Sequence, residues 1–291
     1  MNDLCATIDV SDMRLGDRMA ATWWAQHRHL HEGVRFALID DNRMLREPFP
    51  LARFFPRTFV ELPPAEVTHL PHWDTGNLWL TVTNVFAKHL RAGHFEHLPA
   101  EVLARREQLN AGKTRPRVLM HQLNDATYNR ARNWHQGDAD KLVHALEERG
   151  LDVHVLNPNR GQFLGGYDEM LAQMLAADAF VGGDTGPSHV WSMLCASKPQ
   201  LALYPSMARD RRQYAALQRE LELPLAWDSR PKRPDLLEMT LRPSLRWWLE
   251  GRRPRCTRAG RFDVARAADL VVRALAGDSG AVITAGAAAL A

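Results

Sequence analysis

The apolar positions at the start of the chain fall into separated blocks. Cys5 to Val10 (CATIDV) is a short apolar run that predicts a strand. After a loop from Ser11 to Gly16, Asp17 opens an apolar and aromatic run, RMAATWWAQHRHL, of helical character that stops at Gly33. Val34 to Ile39 predicts a second strand, closed by Asp40-Asp41-Asn42. Strand, helix, strand is the order of a βαβ unit and a parallel sheet. Thr58 to Leu62 fits a strand that Pro63-Pro64 would break. Leu78 to Phe86 has β propensity but also fits the start of a helix through Leu90, and periodicity does not separate the two. Pro99 to Leu109 reads as a helix, and Asn110 to Pro116 has linker composition.

The pattern of the second half is more regular. Strands are predicted at Arg117–His121, Leu151–Leu156, Ala179–Gly182 and Gln200–Tyr204. Helices are predicted at Asp138–Arg149, Tyr167–Ala177 and His189–Ala196, the first with Asp in its opening turn and Gly150 as its stop. This alternation is a Rossmann-like half. Arg209 to Glu222 reads as a basic helix, Leu245 to Arg258 is rich in Trp and Arg, Val264 to Leu275 is a final helix, and Gly277 to Ala291 is weakly patterned. The expected fold class is α/β, with two Rossmann-like domains at residues 1–112 and 113–291.

Composition narrows the class. With 291 residues, 45% hydrophobic and 24% charged, the chain can bury a core and is not wholesale disordered. A net charge of +3 with 13 His suits phosphorylated or acidic ligands without requiring nucleic acid. The three cysteines, Cys5, Cys195 and Cys256, have neither zinc spacing nor a disulfide framework, which fits a reducing cytoplasm. Met1 to Val10 lacks the basic region of a secretory signal, and no stretch approaches the ~18 apolar residues of a membrane span. A soluble cytoplasmic protein is expected, with peripheral membrane contact still compatible.

The most informative segment is Gly183-Asp184-Thr185-Gly186-Pro187-Ser188-His189. A strand runs into a Gly-rich turn and a helix begins, with Pro187 at an early helical position and Thr185 placed to cap. The N–H groups at such a start attract anions, and the carboxyl end of a parallel strand is where α/β folds bind ligands. The N–H groups of Thr185 and Gly186 could stabilise the diphosphate leaving group of a nucleotide sugar. Asp184 is placed to accept from sugar hydroxyls, and His189 to touch phosphate. The same residues also suit an ordinary strand-to-helix turn.

The stretch VGGDTGPSHVWSMLCASKPQLALYP resembles glycosyltransferase family 9, the bacterial heptosyltransferase family, which has an Asp-Ser/Thr-Gly-x-x-His turn, an apolar helix, then a Gly/Lys-Pro-x-x-x-Leu-Tyr/Phe strand. Lys198-Pro199 and Leu203-Tyr204 occupy those places. Leu15-Gly16-Asp17 resembles the family's Leu-Gly-Asp turn, which implies that Asp17 is the general base; read alone, it could be a helix cap. Arg132-Asn133-Trp134-His135 resembles the family's Lys-x-Trp-Pro, with His135 departing from it. Arg132, with Arg130 nearby, would then hold the donor phosphates. The resemblance implies a GT-B fold, with the cleft between the domains, and an inverting transfer with no cofactor beyond a nucleotide-sugar donor; metal-independent catalysis is expected because no Asp-x-Asp turn is read. ADP-heptose is one candidate donor. The acceptor, a saccharide, protein or small molecule, is expected on the first domain.

His69 and His72 in HLPHWD could line the acceptor pocket or simply pack in a loop. His27, His29 and His31 read as surface residues rather than a metal site, and no Asp-x-Asp turn of the kind that binds a metal–diphosphate is read. Arg246-Trp247-Trp248 with the following arginines could pack, meet a membrane interface or stack on nucleic acid, and no nucleic-acid partner is expected. The competing functions are a nucleotide-sugar epimerase or hydrolase on the same fold, and a non-catalytic nucleotide- or nucleic-acid-binding protein.

Overall fold

The computed structural model describes residues 4–45, 47–72, 94–122, 134–156, 165–183, 185–195, 197–205, 236–241 and 262–277. These form two compact units, the first up to Pro99 and the second from Ala100 onward.

In the first unit, β1 (Leu4–Asp9), α1 (Leu15–Glu32) and β2 (Arg35–Ile39) make the expected parallel βαβ unit. Two short helices, α2 (Leu51–Phe54) and α3 (Pro64–Val67), flank β3 (Phe59–Glu61), which pairs parallel to β2. The chain then returns to the other edge of β1, where the Thr7 N–H donates to the Pro71 carbonyl at 2.9 Å and Thr7 bridges His72 in parallel. The carboxyl end of β1 thus stands where strand order reverses. Every residue of α1 from Arg18 to Gln26 is buried, so the helix is covered on all sides over this stretch. Trp24 packs on Phe36 of β2 with ring centroids 5.1 Å apart. Gly33 ends α1 at φ 70°, its N–H donating to the His29 carbonyl.

The second unit opens with α4 (Ala100–Asn110), followed by β4 (Arg117–His121), α5 (Gln136–Glu147), β5 (Asp152–Val155), α6 (Gly166–Ala176), β6 (Ala179–Gly183), α7 (Gly186–Leu194), β7 (Gln200–Pro205), β8 (Leu236–Leu241) and α8 (Val264–Leu275). All five strands are parallel, in the order β5-β4-β6-β7-β8. One sheet face carries the main core, in which Val118, Met120, Ala179 and Val181 meet Leu142 and Leu146 of α5 and Ala267, Leu270 and Val271 of α8. On the other face Phe180 stacks on Trp191 of α7 at 5.2 Å.

The division into units falls before α4, not in the linker-like segment 110–116. That segment is a turn inside the second unit, where Gly112 takes φ 76° and Lys113 reaches the Ala176 carbonyl and the Asp178 carboxylate. Arg105 of α4 is paired with Glu169 of α6. Two further corrections concern boundaries. α1 begins two residues before Asp17, with Arg14 at its N-cap, and β8 is a strand that the hydrophobic pattern had not singled out. The expectations at 78–90, 209–222, 245–258 and 278–291 lie outside the described residues.

Candidate functional site

The strand order of the second unit defines its ligand-binding edge. The chain leaves β4 toward β5 on one side and later returns to place β6 on the other side of β4. α5, which follows β4, and α7, which follows β6, pack on opposite faces of the sheet. A crevice opens outside the carboxyl ends of two such strands, and α/β folds bind ligands there.

Four residues define this crevice in the structure. β4 ends at His121, which pairs with Gly182 of β6, and Gln122 follows it as Gly183 follows Gly182. Gly182 has no room for a side chain, because a Cβ would sit 2.3 Å from the Phe180 ring and 2.6 Å from Ser188 Oγ. The close approach lets Ser188 Oγ donate to the Gly183 carbonyl and fixes the start of α7 against the strand end. Gln200, buried on β7, locks the same helix by donating to the Ser188 carbonyl at 3.0 Å. Pro187 falls in the first turn of α7, as expected. Thr185 is the N-cap residue, but the expected side-chain cap is absent. Its hydroxyl meets His121 Nδ1 at 3.1 Å instead.

Sequence reading had singled out neither His121 nor Gln122. His121 is fully enclosed, and burial alone pushes its imidazole down to about 4, so it is neutral at pH 7. Gln122 is 8% exposed, and its Oε1 is buried with no hydrogen-bond partner among the described residues. A buried acceptor without a donor carries a desolvation penalty of about 1–3 kcal/mol.

The His121 environment makes stability depend on pH in a defined direction. Between about 4 and 6.5 the unfolded chain binds a proton that the folded His121 refuses. This contribution therefore leaves stability intact above pH 6.5 and removes up to about 3 kcal/mol as the pH falls toward 4. In chemical denaturation at pH 7 and at pH 4.5, wild type should lose more stability than His121→Asn does.

Of the other residues expected in the donor site, Gly183, Thr185 and Gly186 meet at the start of α7, and His189 lies half-buried in its first turn. Asp184, Arg130 and Arg132 lie outside the described residues. Trp134 is core, packing edge-on against Phe262 with centroids 5.6 Å apart, and His135 is the N-cap residue of α5. Lys198 caps the carboxyl end of α6 by donating to the Leu175 and Ala177 carbonyls, each at 2.7 Å. One Asp-x-Asp spacing does occur, Asp138-Ala139-Asp140, but it lies on α5 rather than on a turn, with Asp138 buried and Asp140 accepting from Gln136.

In the first unit, Asp17 is the third residue of α1, not its cap. It stands in the turn that follows the carboxyl end of β1, on the ligand-binding edge of that sheet. His72 lies beside the same strand, with its Nδ1 3.1 Å from Thr7 Oγ1, whereas His69 is exposed on the turn after α3. The structure thus brings His72, but not His69, to the β1 edge. Asp9, at the end of β1, has its carboxyl held below the ordinary value: burial opposes the shift, but the hydrogen bonds from Ser11 and the charges of Arg43 and His72 outweigh it.

Arg18 organises this edge and was also missed. Its side chain is fully buried. It donates to the Met13 carbonyl at 3.0 Å, to both oxygens of Asp40 and to Asn42 Oδ1 at 3.4 Å. Met13 belongs to the loop after β1, and Asp40 and Asn42 to the loop after β2, so one guanidinium ties together both loops of the edge. An arginine inside a helical run reads as exposed, and nothing local marks this one as buried.

No model of a known protein family matches the chain, and no curated protein matches it in sequence. A likeness appears among solved structures. In fold, the chain is similar to the glycosyl transferase family 9 protein of Veillonella parvula DSM 2008. The two share a TM-score of 0.52 at 12% identity, over 96% of this chain and 97% of the other. This likeness identifies a shared α/β glycosyltransferase fold. Among the described residues no helix is long and apolar enough to cross a membrane.

Proposed function

We propose that this chain is an inverting glycosyltransferase of the GT-B type that moves a sugar from a nucleotide-sugar donor to an acceptor hydroxyl. The observation that carries the reading is the start of α7. Thr185 and Gly186 stand there beside His121 at the point where strand order reverses, in a fold shared with a family 9 glycosyl transferase. The second unit is the donor half and the first unit the acceptor half.

The acceptor oxygen attacks the anomeric carbon of the donor sugar. The bond from that carbon to the diphosphate breaks with inversion, and its electron pair leaves with the nucleoside diphosphate. The acceptor proton passes to the Asp17 carboxylate, which needs hydrogen-bond reach to the hydroxyl. The N–H groups of Thr185 and Gly186 and the helix dipole stabilise the charge that grows on the diphosphate, with Arg130 and Arg132 as further counter-charges. Asp184 orients the sugar, and His189 adds a contact to phosphate. His72 belongs to the acceptor side. The leaving group's charge is assigned to these groups rather than to a metal ion, and ADP-heptose is one donor to test.

The test is release of nucleoside diphosphate from ADP-, GDP-, UDP- and CDP-sugars, with and without saccharide acceptors and with EDTA throughout. Acceptor-dependent release from one donor is expected. Release at one unchanged rate whatever acceptor is added would make the chain a hydrolase and reject the transfer reading.

Gln122 supplies a second check. Gln122→Met removes a buried acceptor that has no partner among the described residues, so thermal unfolding should be unchanged or move upward. Affinity for the cognate nucleotide sugar should fall roughly tenfold, the worth of one good hydrogen bond. Loss of stability with unchanged affinity would make Gln122 a packing residue.

A further inference from the structure

Thr185 occupies the N-cap of α7, where a threonine oxygen ordinarily accepts an N–H of the first helical turn. Here the hydroxyl turns away from the helix to His121 Nδ1, 3.1 Å distant, on a residue 64 positions away at the end of β4. The first turn has little for that oxygen to cap. Pro187 has no N–H, and the Ser188 N–H is given to the Thr185 carbonyl at 3.0 Å. The Gly186 N–H, at the first helical position, has no acceptor within the helix.

His121 is enclosed, and burial keeps its ring neutral. A neutral imidazole has one N–H, and its position decides what the threonine can do. If Nδ1 carries the proton, it donates to Thr185 Oγ1 and leaves the threonine O–H free. If Nε2 carries it, Nδ1 consumes the threonine proton, and the hydroxyl then presents only lone pairs. Lone pairs repel an anion, whereas an O–H beside the Gly186 N–H attracts one.

We propose that His121 is a positioning residue whose Nδ1–H donates to Thr185 Oγ1, so that the Thr185 O–H is left to donate to the diphosphate of a nucleotide ligand at the start of α7. This rests on the donor-site reading above and deepens it. The relay runs from imidazole N–H to threonine oxygen, and from threonine O–H to a phosphate oxygen. Each bond polarises the next in a site of low dielectric. The arrangement supplies a charge-assisted hydrogen bond to phosphate without burying a cation.

Two measurements on the intact chain test it. The first is the ¹⁵N NMR spectrum of the His121 imidazole at pH 7, which distinguishes the two neutral tautomers without any ligand. Protonated Nδ1 is expected, and protonated Nε2 overturns the proposal. The second is calorimetric titration with ADP, GDP, UDP and CDP of wild type, Thr185→Val, Thr185→Ser, His121→Phe and His121→Asn. For the nucleotide that wild type binds, Thr185→Val and His121→Phe should each weaken binding ~10–100-fold, the range of a lost hydrogen bond to a charged group. Thr185→Ser keeps the hydroxyl, and His121→Asn keeps an N–H donor, so both should stay within about threefold of wild type. If His121→Phe fails to fold, the tautomer and Thr185→Val decide. Unchanged affinity in Thr185→Val, with wild type binding, ends the role of His121 but leaves the donor site standing. Wild type binding none of the four ends the donor-site reading, and the positioning role with it.

Discussion

Asp17→Asn is expected to lower kcat for sugar transfer by ~10²–10⁴ while leaving nucleotide affinity and the unfolding midpoint close to wild type. The magnitude is that of removing a general base from a proton transfer in the transition state. The separation of effects follows from placement. Asp17 lies in the first turn of α1 in the first unit, and the proposed donor site at the start of α7 lies in the second. Asn keeps the size and some of the polarity of Asp but cannot take a proton. Single-turnover kinetics at saturating donor, run beside calorimetric donor binding, would show the split. Equal loss of donor affinity and kcat would instead make Asp17 a binding or structural residue.

Arg18→Met is expected to destabilise the first unit by about 3–5 kcal/mol, the usual effect of removing one partner from a buried ion pair. Methionine fills much of the space, so lost packing is not the main term. The Asp40 carboxylate is left with 16% exposure and without its bidentate partner, and the Met13 carbonyl loses its donor. The double change Arg18→Met with Asp40→Leu should recover much of the loss, because it removes the orphaned charge as well. Urea unfolding of wild type, both single variants and the double variant measures the coupling. Additive losses would show that the two side chains act independently, contrary to the clamp.

How far the sequence could be read depended on whether the relevant interactions were local. β4 and α8 match their expected bounds. β4 is a short apolar run, and α8 has Asp263 at its cap, accepting the Arg266 N–H, and Gly277 just beyond its end at φ 78°. The turn at Gly183 was legible for the same reason, since strand, glycines, cap position and Pro187 are consecutive. α2 and α3 escaped notice because four residues hold barely one turn, and Pro64, read as a breaker, is the first residue of α3. The start of α1 was misplaced because Arg14, its N-cap residue, makes no side-chain cap.

The two buried polar residues that the sequence does not reveal, His121 and Arg18, have their partners far away. His121 needs Thr185 across the strand reversal, and Arg18 needs Asp40 from the next strand's loop. Neither pairing has a spacing that one segment could reveal. Thr185 suits a helix cap by its chemistry, and the structure turns its hydroxyl to a ring contributed by another strand.

The donor site is tested most directly by calorimetric titration of the purified chain with ADP-, GDP-, UDP- and CDP-sugars in the absence of added metal, wild type beside Asp184→Ala. Micromolar binding of one nucleotide sugar is expected, weakened by the substitution. A folded chain that binds none of them would contradict the donor site at the start of α7 and leave the likeness to glycosyl transferase family 9 as one of fold alone.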